Sequence, residues 1–356
     1  GTRDGDGRPR WSALFAAGSP AEDLAWRIEP VLSPRSWRPA AASPGMSLHR
    51  LAGAVSCAFD VPVKALRSVR VGGPEAGLAR GALVHAAREC EKQETAAGER
   101  IRAISVVVPG TVDAKAGLVV KAPNLPYLDG FRLAAAVEKE FNLPVIIEND
   151  ANAAAVGEMW QGAGRGHAAI VCVTLGTGVG GGIILDGTLW RGANESAAEI
   201  GHMGVDPFGG VACTCGSRGC LEVYASATAI VRMAREARPR FAGSTLSQVD
   251  DLTAEQVFRA GVNGDELALE VFRRMGVYLG IGLANLINVL NPEVIVIGGG
   301  VVNGWELFEK HMLQQVAERA FPLPAAKVKI VRAERGDDAG LLGAARLAFT
   351  ADDRPV

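Results

Sequence analysis

The sequence predicts an α/β protein of two domains, and three observations lead there. Short β-branched runs such as Ile101–Val108 and Glu293–Ile297 alternate with longer segments of helical character, the pattern of layered sheets and helices. Glycines cluster where such runs end, as at 176–182 and 298–300. The 356 residues, 48% hydrophobic and 21% charged, exceed one ordinary core and suit two.

Each element follows in order. Residues 1–44 hold six of the 18 prolines and three of the six tryptophans and show no sustained period. Prolines at 20, 30, 34, 39 and 44 stop any long helix, so the stretch reads as an irregular N-terminal extension. Ile101–Val108 reads as a buried strand ended by Pro109-Gly110, with further strands over Leu118–Lys121 and Val145–Glu148. Ala151–Gln161 reads as a helix stopped by Gly162 and Gly164. Ala169–Thr174 and Gly180–Leu185 flank Leu175-Gly176-Thr177-Gly178, a strand–turn–strand signal. Leu267–Leu290 reads as a long helix that Asn291-Pro292 ends. Strands over Glu293–Ile297 and Val328–Val331 and a closing helix over Ala339–Ala348 complete the chain. The domains expected are 45–150, completed by the helix at 339–349, and 151–338, which carries a cysteine-rich loop.

Charge and cysteine usage narrow the function classes. A net charge of −2 leaves no basic field for a polyphosphate backbone, so broad nucleic-acid binding is disfavoured. The first ten residues are charged and lack an apolar core, which predicts no signal peptide. Gly276–Leu290 is uncharged but shorter than the roughly 20 residues a membrane span needs. Three of the six cysteines fall within eight residues and the others are scattered, which suits a reducing cytoplasm and one metal cluster better than a disulfide framework.

That cluster carries the most specific chemistry. Gly201-His202 is followed by Cys213-x-Cys215-Gly-x-x-Gly-Cys220. Three thiolates and one imidazole form a closed tetrahedral zinc set, and the Gly216 and Gly219 turns let one short loop wrap an ion. His202, Cys213, Cys215 and Cys220 are therefore the expected ligands, with zinc in a structural role because no coordination position stays open. The plainer alternative is three buried thiols and a hydrogen-bonded histidine.

Other features are ambiguous by themselves. Asp150, in Glu148-Asn149-Asp150, stands where a strand ends and a helix opens. It is either a helix N-cap or a carboxylate placed to take a proton from a bound hydroxyl. The run Leu175-Gly-Thr-Gly-x-Gly-Gly-Gly182 is either a phosphate cradle or a hairpin that binds nothing. Gly298-Gly299-Gly300 has the same two readings, and it lacks the spacing of a dinucleotide fingerprint. Glu199, His202 and Glu222 bracket the cysteine loop, and Asn124 follows Ala122-Pro123. They suit a polyhydroxylated ligand, although glutamates are most often solvated surface.

Together these elements resemble the ROK family (repressors, open reading frames, kinases) over roughly residues 100–347. The resemblance is carried by Glu199-Ile-Gly-His202 with the cysteine cluster and Leu221-Glu222, and by the order of Asn124, Glu-Asn-Asp150, Leu-Gly-Thr-Gly178 and Gly298–Gly300. It implies two ribonuclease-H-like domains of the actin/hexokinase/Hsp70 type closing on a cleft. It further implies Asp150 as general base and Asn124, Asn149, Glu199, His202 and Glu222 as sugar contacts. Gly176, Thr177 and Gly178 would face the ATP phosphates, Gly298, Gly299 and Gly300 the nucleoside, and Mg²⁺ would accompany ATP. The implied activity is ATP-dependent phosphorylation of a hexose or N-acetylhexosamine by a glucokinase-like, cytoplasmic homodimer or homotetramer. The alternative is a sugar-binding regulator without catalysis; residues 1–44 show no helix-turn-helix, which disfavours DNA as a partner. Two departures stand out. No Asp-x-Gly-Gly-Thr loop occurs in residues 1–100, where Ser43–Arg50 occupies the corresponding place, so weak phosphoryl transfer is expected. Glu195 and Ala198 replace glycines that the family often has.

Overall fold

The computed structural model describes residues 12–17, 52–59, 84, 87–88, 91–92, 101–123 and 125–352. Asn124 and Ser43–Arg50 lie outside the described residues. The chain divides into two compact units. The first is Gly1–Gly162 with Arg191–Ala197 and Asp337–Val356; the second is Ala163–Trp190 with Ala198–Gly336.

The first unit holds a four-stranded sheet in the order β1 (Ser12–Ala17), β2 (Ala52–Phe59), β3 (Ile101–Val108) and β6 (Val145–Asn149). β1, β2 and β3 run antiparallel, and β6 runs parallel to β3. Strand β1 corrects the reading of residues 1–44 as wholly irregular. The five prolines behind that reading lie at position 20 and beyond, and Ser12–Ala17 contains none, so its N–H groups are all available to the ladder. β3 is buried at Ile101 and over Ala103–Val108, which is why that stretch is apolar except for Ser105 rather than alternating. Ile104, Val106 and Val108 pack with Leu133 and Val137 of helix α1 (Leu133–Phe141). On the opposite face, Ala103 packs with Leu341, Leu342 and Ala345 of the C-terminal helix, Ala339–Asp352. That helix crosses α2 (Asp150–Gln161) at backbone contact: a Cβ on Gly343 would enter the Ala153 carbonyl, and one on Gly157 the Ala339 carbonyl. Between β3 and β6 lies a small hairpin, β4 (Thr111–Asp113) and β5 (Leu118–Lys121). It is entered at Gly110, whose φ of +105° and closeness to the Lys121 carbonyl admit no side chain.

The second unit holds a five-stranded sheet in the order β11-β10-β7-β8-β9. β7 (Ile170–Leu175), β8 (Val179–Leu185) and β9 (Thr188–Leu189) form an antiparallel meander, while β10 (Val294–Gly298) and β11 (Lys329–Arg332) lie parallel to β7. All five residues of β10 are buried. Ile295, Ile297, Val171, Val173 and Leu175 enter one core with the helices Ala227–Ala237, Glu266–Leu290 and Trp305–Arg319. The long helix ends where the sequence places its stop, with Asn291 in the left-handed conformation (φ 46°) and Pro292 after it. Its Gly276 and Gly280 face the backbone carbonyls of Phe308 and Met312, which sets a close helix pair. Among the described residues no helix is long and apolar enough to cross a membrane.

Candidate active site

In the first unit the end of β6 is organised by two side chains. Asn149, with extended backbone, caps α2 by accepting from the N–H groups of Ala151 (2.9 Å) and Asn152 (3.0 Å). Its amide nitrogen donates to the Gly110 carbonyl (2.8 Å) and to Asp150 Oδ1 (3.2 Å). The Asn149 amide thus spends both donors and both lone pairs within the protein, one of the donors on Asp150. Asp150 is the first residue of the helix and not its cap, and its Oδ1 also accepts from Ala151 N–H at 2.9 Å.

Glu148 is 2% exposed and fully paired. Oε1 accepts from Asn149 N–H (3.0 Å) and Asn152 Nδ2 (2.9 Å), and Oε2 from Arg191 Nε (2.8 Å) and Nη2 (2.7 Å). Arg191 belongs to a segment, Arg191–Ala197, that the chain contributes to the first unit between two stretches of the second. A second ion pair, Lys115 Nζ to Glu195 Oε1 at 2.8 Å, holds the same segment. Sequence reasoning missed Arg191. A lone arginine on a loop gives no signal until the buried carboxylate that needs it is located. Glu195 and Ala198 both have left-handed backbone, φ 60° and 66°. Glycine would be unstrained at both positions, and an L side chain costs about 1 kcal/mol or more there.

In the second unit the two glycine segments meet. Gly299 (φ +88°) crosses the end of β7 so closely that a Cβ would strike the Leu175 carbonyl, which puts Gly298–Gly300 beside the Gly176–Gly178 turn. The turn is held from several sides. Gly176 N–H donates to Gly178 O (3.0 Å) and Ala227 N–H to Gly176 O (2.8 Å). Thr228 Oγ1 donates to Thr177 O (2.8 Å), and Val179 N–H to Glu222 Oε2 (3.0 Å). A Cβ on Gly176 or Gly300 would meet nothing within 4 Å, so the turn faces open space there.

The cysteine loop lies in the same unit. One ligand atom from each of His202, Cys213, Cys215 and Cys220 falls within 4.8 Å of all the others. His202 Nδ1 and Cys213 Sγ are 3.6 Å apart, and the Cys215 and Cys220 sulfurs 3.7 Å. Zn–S and Zn–N bonds of about 2.3 and 2.05 Å in a tetrahedron give edges of about 3.8 Å between sulfurs and about 3.6 Å between sulfur and nitrogen. The donor set and its spacing fit zinc. Without a cation the cluster is electrostatically awkward: burial, then the neighbouring Cys215 and Cys213, push the Cys220 thiol up to about 12. A backbone hydrogen bond at Ser217 lowers Cys215 instead. The loop is braced by Tyr224, which donates to Asp206 Oδ2 (2.7 Å), accepts from Val211 N–H (3.1 Å) and stacks on Tyr278 at 3.8 Å. Burial pushes the Tyr224 phenol up to about 12, so it stays a donor at any ordinary pH.

His202 closes a 3₁₀ turn, Ile200–His202, that begins at Glu199, with His202 N–H bonded to Glu199 O at 3.0 Å. Nδ1 faces the sulfurs, which leaves Nε2 as the nitrogen turned away and, with metal on Nδ1, the protonated one.

A family model described as ROK family matches residues 54–351. The chain belongs to the ROK family. It is 44% identical over 244 residues to a glucokinase of Halalkalibacterium halodurans, covering 67% of this chain and 74% of that protein. It is also 34% identical over 248 residues to a xylose repressor of Caldicellulosiruptor bescii, covering 68% of this chain and 61% of that one. A crystal structure of a ROK family glucokinase from Streptomyces griseus, in complex with glucose and AMPPNP, superposes with a TM-score of 0.65 at 36% identity, over 78% of this chain and 89% of that one. The ROK protein therefore has the α/β fold of the actin/hexokinase-like class. Its glucokinase relatives support sugar-kinase chemistry, and its repressor relatives show that the family also contains regulators.

Proposed function

We propose that this protein phosphorylates a hexose or N-acetylhexosamine with ATP, with Asp150 as the general base. The observation that carries the reading is the division of labour at the end of β6: Asn149 caps the helix, so capping does not account for Asp150. The Asn149 amide and the Ala151 N–H fix the orientation of its carboxylate instead. Asp150 takes the proton of the attacking hydroxyl, while Glu199, His202 Nε2, Glu222 and Asn124 bond the other sugar hydroxyls. The Gly176–Gly178 turn faces the transferring phosphates, with the N–H groups of Thr177 and Gly178 as donors because the Gly176 N–H is held by Gly178 O, and Gly298–Gly300 line the nucleoside. Mg²⁺ bound with ATP would supply charge neutralisation at the phosphates. Zinc on His202, Cys213, Cys215 and Cys220 would fix the imidazole's orientation and hold the loop. The finer fold reading, ribonuclease-H-like domains, is supported by the β9-β8-β7-β10-β11 order of the second unit.

A second reading, a sugar-responsive regulator, is favoured by one specific feature. Asp-x-Gly-Gly-Thr is missing from residues 1–100, and with it the acid that would help position Mg²⁺. Incubation with ATP, Mg²⁺ and glucose, N-acetylglucosamine or N-acetylmannosamine separates the two, with binding read by thermal shift and transfer by product formation. The kinase reading expects a hexose that both binds and is phosphorylated, at a rate below the roughly 10 s⁻¹ of an ordinary enzyme because of the missing loop. Binding with no transfer would favour the regulator.

A further inference from the structure

We infer that Glu222 is a positioning residue for the phosphate turn as well as a sugar contact, so that a bound sugar stiffens the turn before nucleotide arrives. The inference rests on the sugar-kinase reading. Its physical basis is that a carboxylate has two oxygens, and here one of them is already committed. Oε2 accepts the N–H of Val179, the residue directly after Gly178, at 3.0 Å. The same oxygen occupies the volume that a side chain at position 178 would need, so Gly178 is the residue that lets the carboxylate reach the turn.

Nearby backbone and side chains extend this grip. Ala227 N–H holds Gly176 O and Thr228 Oγ1 holds Thr177 O, each at 2.8 Å. The stretch 222–228 therefore grasps the turn at 176, 177 and 179, and it begins two residues after the metal-ligand candidate Cys220. Leu221, fully buried against Gly282, fixes the start of that stretch in the core. Of these attachments, the Glu222 side chain is the one assigned to the sugar. A hydroxyl donating to its other oxygen restricts rotation of the carboxylate and so prolongs the Val179 N–H···Oε2 bond. By linkage, whatever the sugar does for nucleotide binding through this bond, nucleotide does for sugar binding.

Hydrogen exchange of the full chain, followed at the Val179 amide, tests the inference. Saturating glucose should slow exchange there by about 5-fold or more, the low end of ordinary coupling between sites. Glu222→Ala should speed exchange at Val179 without sugar and abolish any slowing with it. Thr228→Val removes an attachment that does not touch the sugar. It should speed exchange in the turn, leave glucose affinity unchanged and keep the slowing by glucose. Unchanged Val179 exchange in Glu222→Ala, or glucose that binds the parent without slowing Val179, would overturn the inference and leave the kinase reading standing. Failure of glucose, N-acetylglucosamine and N-acetylmannosamine to bind at all would remove both.

Discussion

β3 in the first unit and β7 in the second have the same surroundings. Each has an antiparallel neighbour on one side and a parallel neighbour on the other, β2 and β6 in one case, β8 and β10 in the other. The difference is how the antiparallel neighbour is joined. β7 passes into β8 through the three residues Gly176-Thr177-Gly178, whereas residues 60–100 separate β2 from β3 in the sequence. The first unit instead gathers side chains at its strand end, with the Asn149 amide donating to Asp150 and the buried Glu148 carboxylate paired with Arg191. On the proposed function, similar strand neighbourhoods carry different chemistry: backbone amides for the phosphates in the second unit, an oriented carboxylate for proton transfer in the first.

The largest expected effect sharpens that contrast. Arg191→Met leaves Glu148 buried without its cation, a loss of roughly 3–5 kcal/mol of stability for an orphaned buried charge. Exchange protection in β6 and α2 should collapse while protection in β10 is kept; equal loss in both units would break the comparison. The helix crossings come next. Gly343→Ala drives a methyl into a backbone carbonyl, and overpacking of this kind costs about 1–3 kcal/mol or more. Gly276→Ala, whose Cβ would stand 2.6 Å from Phe308 O, should cost less, as denaturant midpoints would show. The smallest effect is a gain. Ala198→Gly relieves a left-handed residue and should stabilise by up to about 1 kcal/mol. Glu195→Gly relieves the same strain but forfeits the ion pair to Lys115, so it should not stabilise; calorimetry on the two variants checks the sign.

Much of the second unit was legible in the sequence because its signals are local. Three cysteines in eight residues, a glycine turn between two apolar runs and Asn291-Pro292 at a helix end are each decided within a few positions. The approach of Gly298–Gly300 to Gly176–Gly178 was not legible, since it depends on β10 lying beside β7. The role of Asn149 was half legible. A polar residue before a helix is a capping signal, but the competition between Asn149 and Asp150 for the cap is settled by backbone angles that composition does not encode. Arg191 and Thr228 were invisible for a related reason: each acts on a partner more than 40 residues away in sequence. β1 was missed because a proline-rich stretch was judged as a whole.

The most direct test of the account is Asp150→Asn, with hexose affinity and phosphoryl transfer measured on the same preparation. The amide keeps the size of the carboxylate and can still accept from Ala151 N–H, but it cannot take a proton. Hexose affinity should stay within a small factor of the parent while transfer falls by about 10²- to 10⁴-fold. Transfer at the parent rate would contradict the account and return Asp150 to a purely structural place at the start of its helix.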